Sequence, residues 1–234
     1  MTTLLSTLSD QLATVRQLLR LPVAHLFFDE AIAPVNVRST YRYYTKRHPR
    51  YKIIQHKSWG AALIDLQRFN KRNDYFDSIK GRNWGAQHIK RARTRGYRLA
   101  EIERNDYVDA IFDINTSVEA RQGRSMDQTY LEKQACFDKL VNFRYYGVLS
   151  PDDRLVAYAN VGHYGNFHAF ERLIGYRNND GIMHLLVGDI TAGLIDQGLA
   201  HYLMYDTYFG ALPGLRQFKT ILGFTPYRAL YHLR

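Results

Sequence analysis

The sequence predicts an α/β (α+β) fold: a mixed central sheet flanked by helices, with a mostly helical N-terminal extension. From Tyr97 onward, segments in which apolar and polar residues alternate are interleaved with segments of helical periodicity. Their order is strand, helix, helix, three strands, helix, strand, helix, strand, and a mixed sheet with helices on both faces accommodates that order. Proline and glycine are sparse, so no obvious linker divides the chain.

The first elements of the predicted core are marked by alternation and by a helix cap. Residues 97–103 alternate and predict a strand. Asn105 or Asp106 suits the cap of a helix whose apolar face includes Ile111 and Ile114. A second helix is expected near residues 127–143. The later elements are expected to be strands 144–150, 154–162 and 166–174, a helix 181–197 ended by Gly198, a strand 201–208, a helix 212–222 and a strand 225–233.

The predicted domain division falls at residue 96. Residues 97–234 hold the core, and residues 1–96 read as a helical and basic extension packed on it. Leu5, Leu8 and Leu12 begin a helical repeat that predicts an amphipathic helix over residues 3–20. A chain of 234 residues with 46% hydrophobic residues can bury a substantial core.

Composition limits the class of protein. No apolar run reaches the roughly 18 residues of a membrane helix, and the N-terminus lacks the pattern of a secretory signal. Cys136, the single cysteine, is expected in the second helix as a buried apolar residue and cannot build an internal disulfide framework. No cysteine–histidine cluster has zinc-site spacing. We therefore expect a cytoplasmic protein with no membrane span and no metal; a transit peptide is the minor alternative.

The formal charge of +10 is concentrated in two clusters. Residues 80–98 contain lysines and arginines but no acidic residue, and residues 42–57 combine cations with tyrosines. Unbalanced positive charge attracts polyphosphate, and tyrosine rings can stack on exposed bases. The clusters predict contact with nucleic acid or with an anionic substrate. A solvated basic face with core tyrosines is the alternative.

Three local motifs make the prediction more specific. The first is a basic helix, residues 82–97, that ends in glycine and an aromatic residue. The second is the helix 184–198 followed by Tyr202 and the pair Tyr205-Asp206. The third is the Phe-Lys pair at Lys219, between Gly214 and the segment 222–226. Together they cover roughly residues 80–234 and resemble motifs of the Fem-type (FemABX-like) aminoacyl transferases, which have the GNAT acyltransferase fold.

The resemblance implies transfer of an aminoacyl group from aminoacyl-tRNA to an amine on a peptide, a metabolite or a protein N-terminus, forming an amide bond. The tRNA would be a co-substrate, and no cofactor is implied. Fem-type peptidoglycan enzymes carry two such domains, whereas this chain has room for one, which leaves the acceptor open. Two alternatives remain: an acyl-coenzyme A-dependent N-acyltransferase of the GNAT superfamily, and a non-catalytic RNA- or partner-binding module.

One departure favours the tRNA donor. GNAT enzymes that use acyl-coenzyme A hold its pyrophosphate on a glycine-rich loop at the start of the helix after the fourth strand. Here Arg177 and Gly181 occupy that place, with no second glycine at the expected step. We therefore expect the pyrophosphate cradle to be absent or distorted. An aminoacyl-tRNA donor needs no such cradle, but it does need a basic surface.

The catalytic candidates follow from the resemblance. Lys219 corresponds to the family's Phe-Lys and would stabilise the oxyanion; a solvated helix lysine is the alternative. Tyr205 and Asp206 end a strand at the edge where substrates bind in such sheets; core packing or a structural hydrogen bond is the alternative. The candidates for proton removal from the attacking amine are His163, His168, Glu171 and Asp206.

Binding candidates form two further groups. Residues 115–126 are dense in polar groups, and in GNAT-like folds that region lines the acceptor site. An arginine fork suits an acceptor carboxylate, and a capped helix turn with surface arginines is the alternative. The substrate-binding candidates are Ser117, Arg121, Gln122, Arg124, Glu171 and Arg216. The tRNA-binding candidates are Lys80, Arg82, Lys90, Arg91, Arg93 and Arg95.

Overall fold

The computed structural model describes residues 18–49, 52–81, 84–118, 120–121, 124–125 and 128–234. Its strands are β1 (Val23–Phe28), β2 (Trp59–Asp65), β3 (Arg98–Glu101), β4 (Ala120–Arg121), β5 (Arg124–Ser125), β6 (Phe143–Leu149), β7 (Leu155–His163), β8 (Phe167–Gly175), β9 (Tyr202–Thr207) and β10 (Thr225–Leu233). Its helices are α1 (Pro34–Thr45), α2 (Arg72–Ser78), α3 (Gly85–Thr94), α4 (Val108–Thr116), α5 (Gln128–Leu131), α6 (Ile182–Gln197) and α7 (Pro213–Ile221). None of the helices in these ranges combines the length and the apolar character that crossing a bilayer requires.

Eight strands form one mixed sheet in the order β1-β10-β2-β9-β8-β7-β6-β3. Two neighbouring pairs, β1 with β10 and β8 with β9, are parallel, and the other neighbours are antiparallel. β4 and β5 form a separate short hairpin. The mixed sheet flanked by helices is therefore confirmed, and the strands and helices after residue 143 lie close to their predicted bounds.

Each face of the sheet buries its own apolar core. On one face, Ile89 of α3 and the apolar side of α6, including Leu185 and Leu186, pack against the central strands. On the other face, Val37 of α1 and Ile111 of α4 pack with the aromatic side chains of β1, β7 and β8. Because both faces are covered, the central strands lose the alternation of a half-exposed sheet. The side chains of the inner strands thus fix the position of both helical layers.

The N-terminal part of the chain differs from the predicted helical extension, because it contributes two strands to the central sheet. β1 pairs with β10, and β2 lies between β10 and β9. In β2, residues 60–64 are buried without interruption. A short continuous apolar run cannot be assigned to a strand or a helix by periodicity alone. The predicted helix 3–20 lies, apart from its last three residues, outside the described part of the chain.

The predicted second helix, residues 127–143, is also wrong over most of its length. Only α5 is helical there, and the chain then runs irregularly to β6. Tertiary contacts replace the helical ones: the Phe137 N–H donates to Asn105 Oδ1 at 2.7 Å, and the Arg104 guanidinium donates to the Asp138 carbonyl. Asn105 therefore fixes this segment instead of capping α4. Cys136 lies in this segment and is exposed, contrary to its predicted burial.

The loop between β7 and β8 forms hydrogen bonds with the outer edge of β1. The Phe27 N–H donates to Asn166 Oδ1 at 2.8 Å, and Asn166 Nδ2 donates to the His25 carbonyl at 2.9 Å. Gly165 forms a bridge with Phe28 beside them, with φ of 144°. An edge strand otherwise presents unpaired N–H and C=O groups. Asn166 therefore satisfies both kinds of group on β1.

Replacing Asn166 by alanine removes both of these side-chain bonds. We expect the free energy of unfolding, measured by urea denaturation, to fall by about 1–3 kcal/mol, because the backbone groups of β1 lose their partners. Asn73→Ala, at an exposed position in α2, is the matched control and should change it by less than about 0.5 kcal/mol. Equal losses in the two variants would contradict the role of Asn166.

Candidate functional site

The two parallel strands β8 and β9 diverge at their carboxyl ends. Their register pairs only Phe167–Ala169 with Tyr202–Met204, although β8 continues to Gly175 and β9 to Thr207. The rings of Phe170 and Tyr205, with centroids 5.6 Å apart, fill the beginning of the gap. Ligands of open α/β sheets bind outside the carboxyl ends of parallel strands, where neighbouring strands separate. The gap is therefore the place at which this fold offers a site.

A cavity of about 590 Å³ opens beyond this gap. Its volume falls within the range of small-molecule sites. Its walls come from the loop after β8, the first turn of α6, the end of β9, and the helices α3 and α7. Arg91 and Arg177 are its basic groups, and Tyr176, Tyr205 and Phe218 contribute aromatic surface. The cavity therefore combines a positively charged rim with apolar walls.

The floor of the cavity is the N-terminus of α6. Gly181 caps the helix in a left-handed conformation (φ 85°), and no side chain in the described ranges caps it. A Cβ at this position would lie 2.4 Å from the His88 carbonyl oxygen, so only glycine lets α3 approach this closely. The N–H groups of a helix's first turn and the positive end of its dipole favour an anion. Arg91 adds positive charge there, and it donates to the Asn179 carbonyl at 3.2 Å.

The loop before α6 is held by its own side chains. The Asp180 N–H donates to Asn178 Oδ1 at 3.1 Å. The Asp180 carboxylate pairs with Arg95 and accepts a hydrogen bond from the Tyr97 hydroxyl at 2.8 Å. At least one loop amide is thus already satisfied, and a carboxylate stands beside the helix terminus. Both features differ from a loop whose successive amides surround a pyrophosphate.

Two histidines stack beside the cavity. The rings of His88 and His184 have centroids 4.3 Å apart, and His184 also contacts the edge of Phe218. Burial, together with the neighbouring His88 and Arg91, lowers the pKa of His184 to about 4. Burial and Arg91 also lower the pKa of His88. His184 is therefore neutral near pH 7. Its imidazole can donate one hydrogen bond and accept another without adding positive charge to the cavity.

Lys219 is buried rather than solvated, with 1% of its surface exposed. Its ammonium donates to the Thr207 carbonyl at 2.8 Å and lies 4.4 Å from the centre of the Tyr205 ring. Burial is the main cause that lowers the pKa of Lys219 to about 8, with Lys57 lowering it and Asp206 raising it. Tyr205 lines the cavity from the other side of this contact, and Lys219 is not among the lining residues. The geometry therefore makes Lys219 a support of the Tyr205 wall.

Asp206 stands at the end of β9 in a left-handed conformation (φ 51°), which is uncommon for a residue other than glycine. Its half-exposed carboxylate pairs with Lys57. The sequence gives no local signal for this pair, because the partners lie 149 positions apart. Burial, with a smaller contribution from Asp206, raises the pKa of Tyr205 far above its usual value. The predicted trio of Tyr205, Asp206 and Lys219 is thus brought together, and Lys57 joins it.

Of the predicted acceptor-binding residues, the three whose side chains the structure describes, Ser117, Glu171 and Arg216, do not line this cavity. Ser117 Oγ donates to the Ile114 carbonyl at 2.7 Å, as expected of a residue that ends α4. Arg121 and Arg124 face each other in the backbone register of the β4–β5 hairpin, and Gln122 lies outside the described residues. Glu171 is exposed on β8, and Arg216 is half-buried on α7. Their roles in acceptor binding stay predictions.

Three of the six predicted tRNA-binding residues have acidic partners. Arg93 pairs with Asp189 of α6 at 2.5 Å, and Arg95 pairs with Asp180. Lys80 pairs with Asp77, although the side chains of both remain largely exposed. Lys90 is exposed on α3, Arg91 lines the cavity, and Arg82 lies outside the described residues. The sequence stretch without acidic residues is therefore partly neutralised by acids from elsewhere in the chain.

The histidines predicted as general bases lie at the opposite end of β8. His163 and His168 stack with centroids 4.6 Å apart, near the start of the strand. At 3.3 Å per residue, the start and end of β8 are roughly 25 Å apart. Burial and the neighbouring His163 lower the pKa of His168 to about 3. Neither histidine can reach the cavity beyond Gly175.

The lowered pKa of Lys219 predicts a change of stability with pH. The folded protein binds the Lys219 proton less tightly than the unfolded chain does. The free energy of unfolding therefore increases as pH rises from about 8, the pKa of Lys219 in the folded protein, towards 10.5, the usual pKa of a lysine. We expect the free energy of unfolding of the wild type, relative to Lys219→Met, to increase between pH 7.5 and 10 in urea titrations. If the difference in free energy of unfolding between the wild type and Lys219→Met stays constant over this range, the lowered pKa of Lys219 is contradicted.

The comparisons with known proteins find the fold but no closer relative. No family model and no curated protein sequence matches the chain. The structure of FemX matches 72% of the chain and 59% of its own length, with a TM-score of 0.54 and 9% identity. The C-terminal domain (DUF2156) of a proposed lysylphosphatidylglycerol synthetase from Agrobacterium fabrum matches 71% of this chain and 57% of its own, with a TM-score of 0.50 and 16% identity. The chain thus spans less than two thirds of these structures and has a GNAT-like fold that resembles FemX.

Proposed function

We propose that the protein is an acyltransferase that moves an aminoacyl group from aminoacyl-tRNA to an amine. The observation that carries this proposal is the cavity at the diverging ends of β8 and β9, with its positively charged rim and aromatic walls. FemX and the lysylphosphatidylglycerol synthetase domain share the fold, and the second name describes a protein that attaches lysine to an acceptor. The fold hosts many chemistries, so the cavity and its charge give the argument its weight.

The reaction requires little covalent chemistry from the protein. The amine attacks the ester carbonyl, a tetrahedral oxyanion forms, the C–O bond to the terminal ribose breaks, and the amine proton passes to the ribose oxygen. The ester is already activated, so positioning and stabilisation of negative charge suffice. The first-turn amides of α6 and the Arg91 guanidinium supply positive potential at the floor. The rings of Tyr205 and Phe218 exclude water from the ester.

Two features favour a tRNA donor over acyl-coenzyme A. In the loop before α6, the Asp180 N–H already donates to Asn178 Oδ1. The loop also lacks the second glycine that would let a pyrophosphate approach its backbone. The formal charge of +10 suits a partner with many phosphates. A free metabolite would need only the few cations that line the cavity. The tRNA donor therefore explains more of the charge.

Acyl-coenzyme A remains a second candidate because of one specific observation. The first turn of α6, from Gly181 to His184, opens to the cavity beside Arg91 and Arg177. A helix N-terminus with nearby arginines can bind a phosphate without a glycine-rich loop. Under this alternative the product would still be an amide. The two donors differ in the partner that the protein binds and consumes.

A transfer assay separates the donors. The protein is mixed with bulk tRNA charged with labelled amino acids and a panel of amines (amino acids, dipeptides and polyamines), and in parallel with labelled acetyl-coenzyme A and the same panel. We expect a labelled product that survives mild base only with charged tRNA, because an amide resists the base that hydrolyses the ester. Transfer from acetyl-coenzyme A alone would contradict the proposal, and no transfer from either donor would favour a binding module.

Narrowing the cavity should slow the reaction. Leu215 lines the cavity from α7, whereas Leu212, at the start of the same helix, is 48% exposed and does not line it. Leu215→Trp should lower the transfer rate at least about tenfold and up to on the order of 100-fold, because small displacements of reacting groups carry such costs. Leu212→Trp is the matched control. Equal rates for the two variants would show that the reaction occurs elsewhere.

A further inference from the structure

The connection between α1 and β2 folds into a short antiparallel hairpin. Arg47 and Gln55 form a bridge, the His48 N–H donates to the Ile54 carbonyl at 2.9 Å, and the His56 N–H donates to the Lys46 carbonyl at 2.8 Å. We name residues 46–49 and 52–57 the basic hairpin. It contains no acidic residue. Its backbone pairing brings the residues of its two sides next to each other.

Among the described residues, most cations of the basic hairpin lack a carboxylate partner, unlike several cations of the basic helix. Lys46, Arg47 and Lys52 are exposed, and no carboxylate pairs with them in the part of the chain that the structure describes. In α3, by contrast, Arg93 and the neighbouring Arg95 are paired with aspartates. A cation that already has a carboxylate partner releases fewer counterions when it meets a phosphate. The basic hairpin therefore offers the less neutralised positive surface.

An aromatic ring lies beside two lysines of the basic hairpin, Lys46 and Lys57. Tyr43, 46% exposed at the end of α1, has the Lys46 ammonium 4.4 Å from its ring centre and the Lys57 ammonium 5.7 Å from it. The His56 ring contacts its edge at 5.0 Å. Single-stranded nucleic acid is bound by such combinations, because cations track the backbone while rings stack on bases. A metabolite phosphate would not need the ring.

An ion pair joins the basic hairpin to the end of β9. Lys57 extends from the hairpin to pair with Asp206. The preceding residue, Tyr205, lines the cavity. A polyanion held on the hairpin would therefore lie beside the carboxyl end of the strand that also contributes to the cavity. That arrangement suits a carrier whose reactive group is at its terminus.

We propose that the basic hairpin is the surface that contacts the tRNA, on the strand that leads to its aminoacylated end. This inference rests on the proposed function. An anionic membrane is the competing partner, because Ile53 is 97% exposed beside Lys52. A single apolar side chain buries little area in a bilayer, whereas the cation-flanked Tyr43 ring fits a base. The observations therefore favour RNA.

The salt dependence of binding tests this surface. Uncharged bulk tRNA is titrated with the wild type, with Lys46→Ala/Arg47→Ala/Lys52→Ala, and with the charge-matched control Arg68→Ala/Lys133→Ala/Arg154→Ala, at exposed positions outside both basic clusters. The affinity is followed as KCl is raised. Each lost phosphate contact reduces the slope of log K against log salt by about 1. We expect the slope to fall by about 2–3 for the hairpin variant and by less than about 1 for the control.

Other outcomes would contradict either the role of the basic hairpin or the choice of tRNA as its partner. An unchanged slope in the hairpin variant, with tRNA bound by the wild type, overturns the hairpin's role and leaves the proposed function standing. Failure of the wild type to bind tRNA overturns both. Flotation with phosphatidylglycerol vesicles provides the other arm: binding to vesicles but not to tRNA, lost in the hairpin variant, would assign the surface to a membrane. Circular dichroism of each variant verifies that it is folded.

Discussion

The separation of β8 from β9 after three paired residues is the constraint on which the candidate site depends. Where the strands part, backbone groups and side chains that would otherwise pack together face an open space. α6 follows β8 through the loop and places its N-terminus there, and α7 places Phe218 opposite. The wall between them is the Tyr205 ring, which the buried Lys219 ammonium supports from behind. The cavity thus follows from the strand geometry, and its charge from the helices around it.

Among the residues that the structure describes, the basic ones fall into two groups: those that pair with carboxylates and those that do not. In the basic helix, arginines pair with aspartates of α6 and of the loop before it, so they join α3 to the wall of the cavity. On the basic hairpin, by contrast, Lys46, Arg47 and Lys52 are exposed, and Lys46 lies over the ring of Tyr43. Ion pairs between exposed groups contribute little stability, but they do reduce the charge available to a partner. A formal charge summed along the sequence therefore overstates the polyanion-binding capacity of α3.

The sequence predicts the part of the fold from Phe143 onward well, because its elements carry local periodicity and clear ends such as Gly198. It does not predict the position of β2, whose buried run is compatible with a strand or a helix. It also assigns a helix to the segment around Phe137, where side chains from Arg104 and Asn105 bind the backbone instead. Tertiary contacts of this kind have no local signal.

The sequence predicts some of the neighbours at the candidate site, and the catalytic roles of Tyr205, Asp206 and Lys219 stay predictions. These three residues lie close together because they belong to a strand and to the helix that follows it, but only Tyr205 lines the cavity. The burial of Lys219 and its bond to the Thr207 carbonyl depend on packing around it. The pairing of Lys57 with Asp206 joins distant parts of the chain. Sequence spacing therefore predicts which of these residues are neighbours, but not which of them are buried, paired or open to the cavity.

We propose that the cavity at the start of α6 receives the aminoacylated end of a nucleic acid. Amide hydrogen exchange can test this binding, with a stable amide analogue of aminoacyl-adenosine as the probe and coenzyme A as the comparison. We expect slower exchange at the amides of Ile182, Met183 and His184, and along α7, with the analogue alone. Protection of the same amides by coenzyme A, without protection by the analogue, would contradict it.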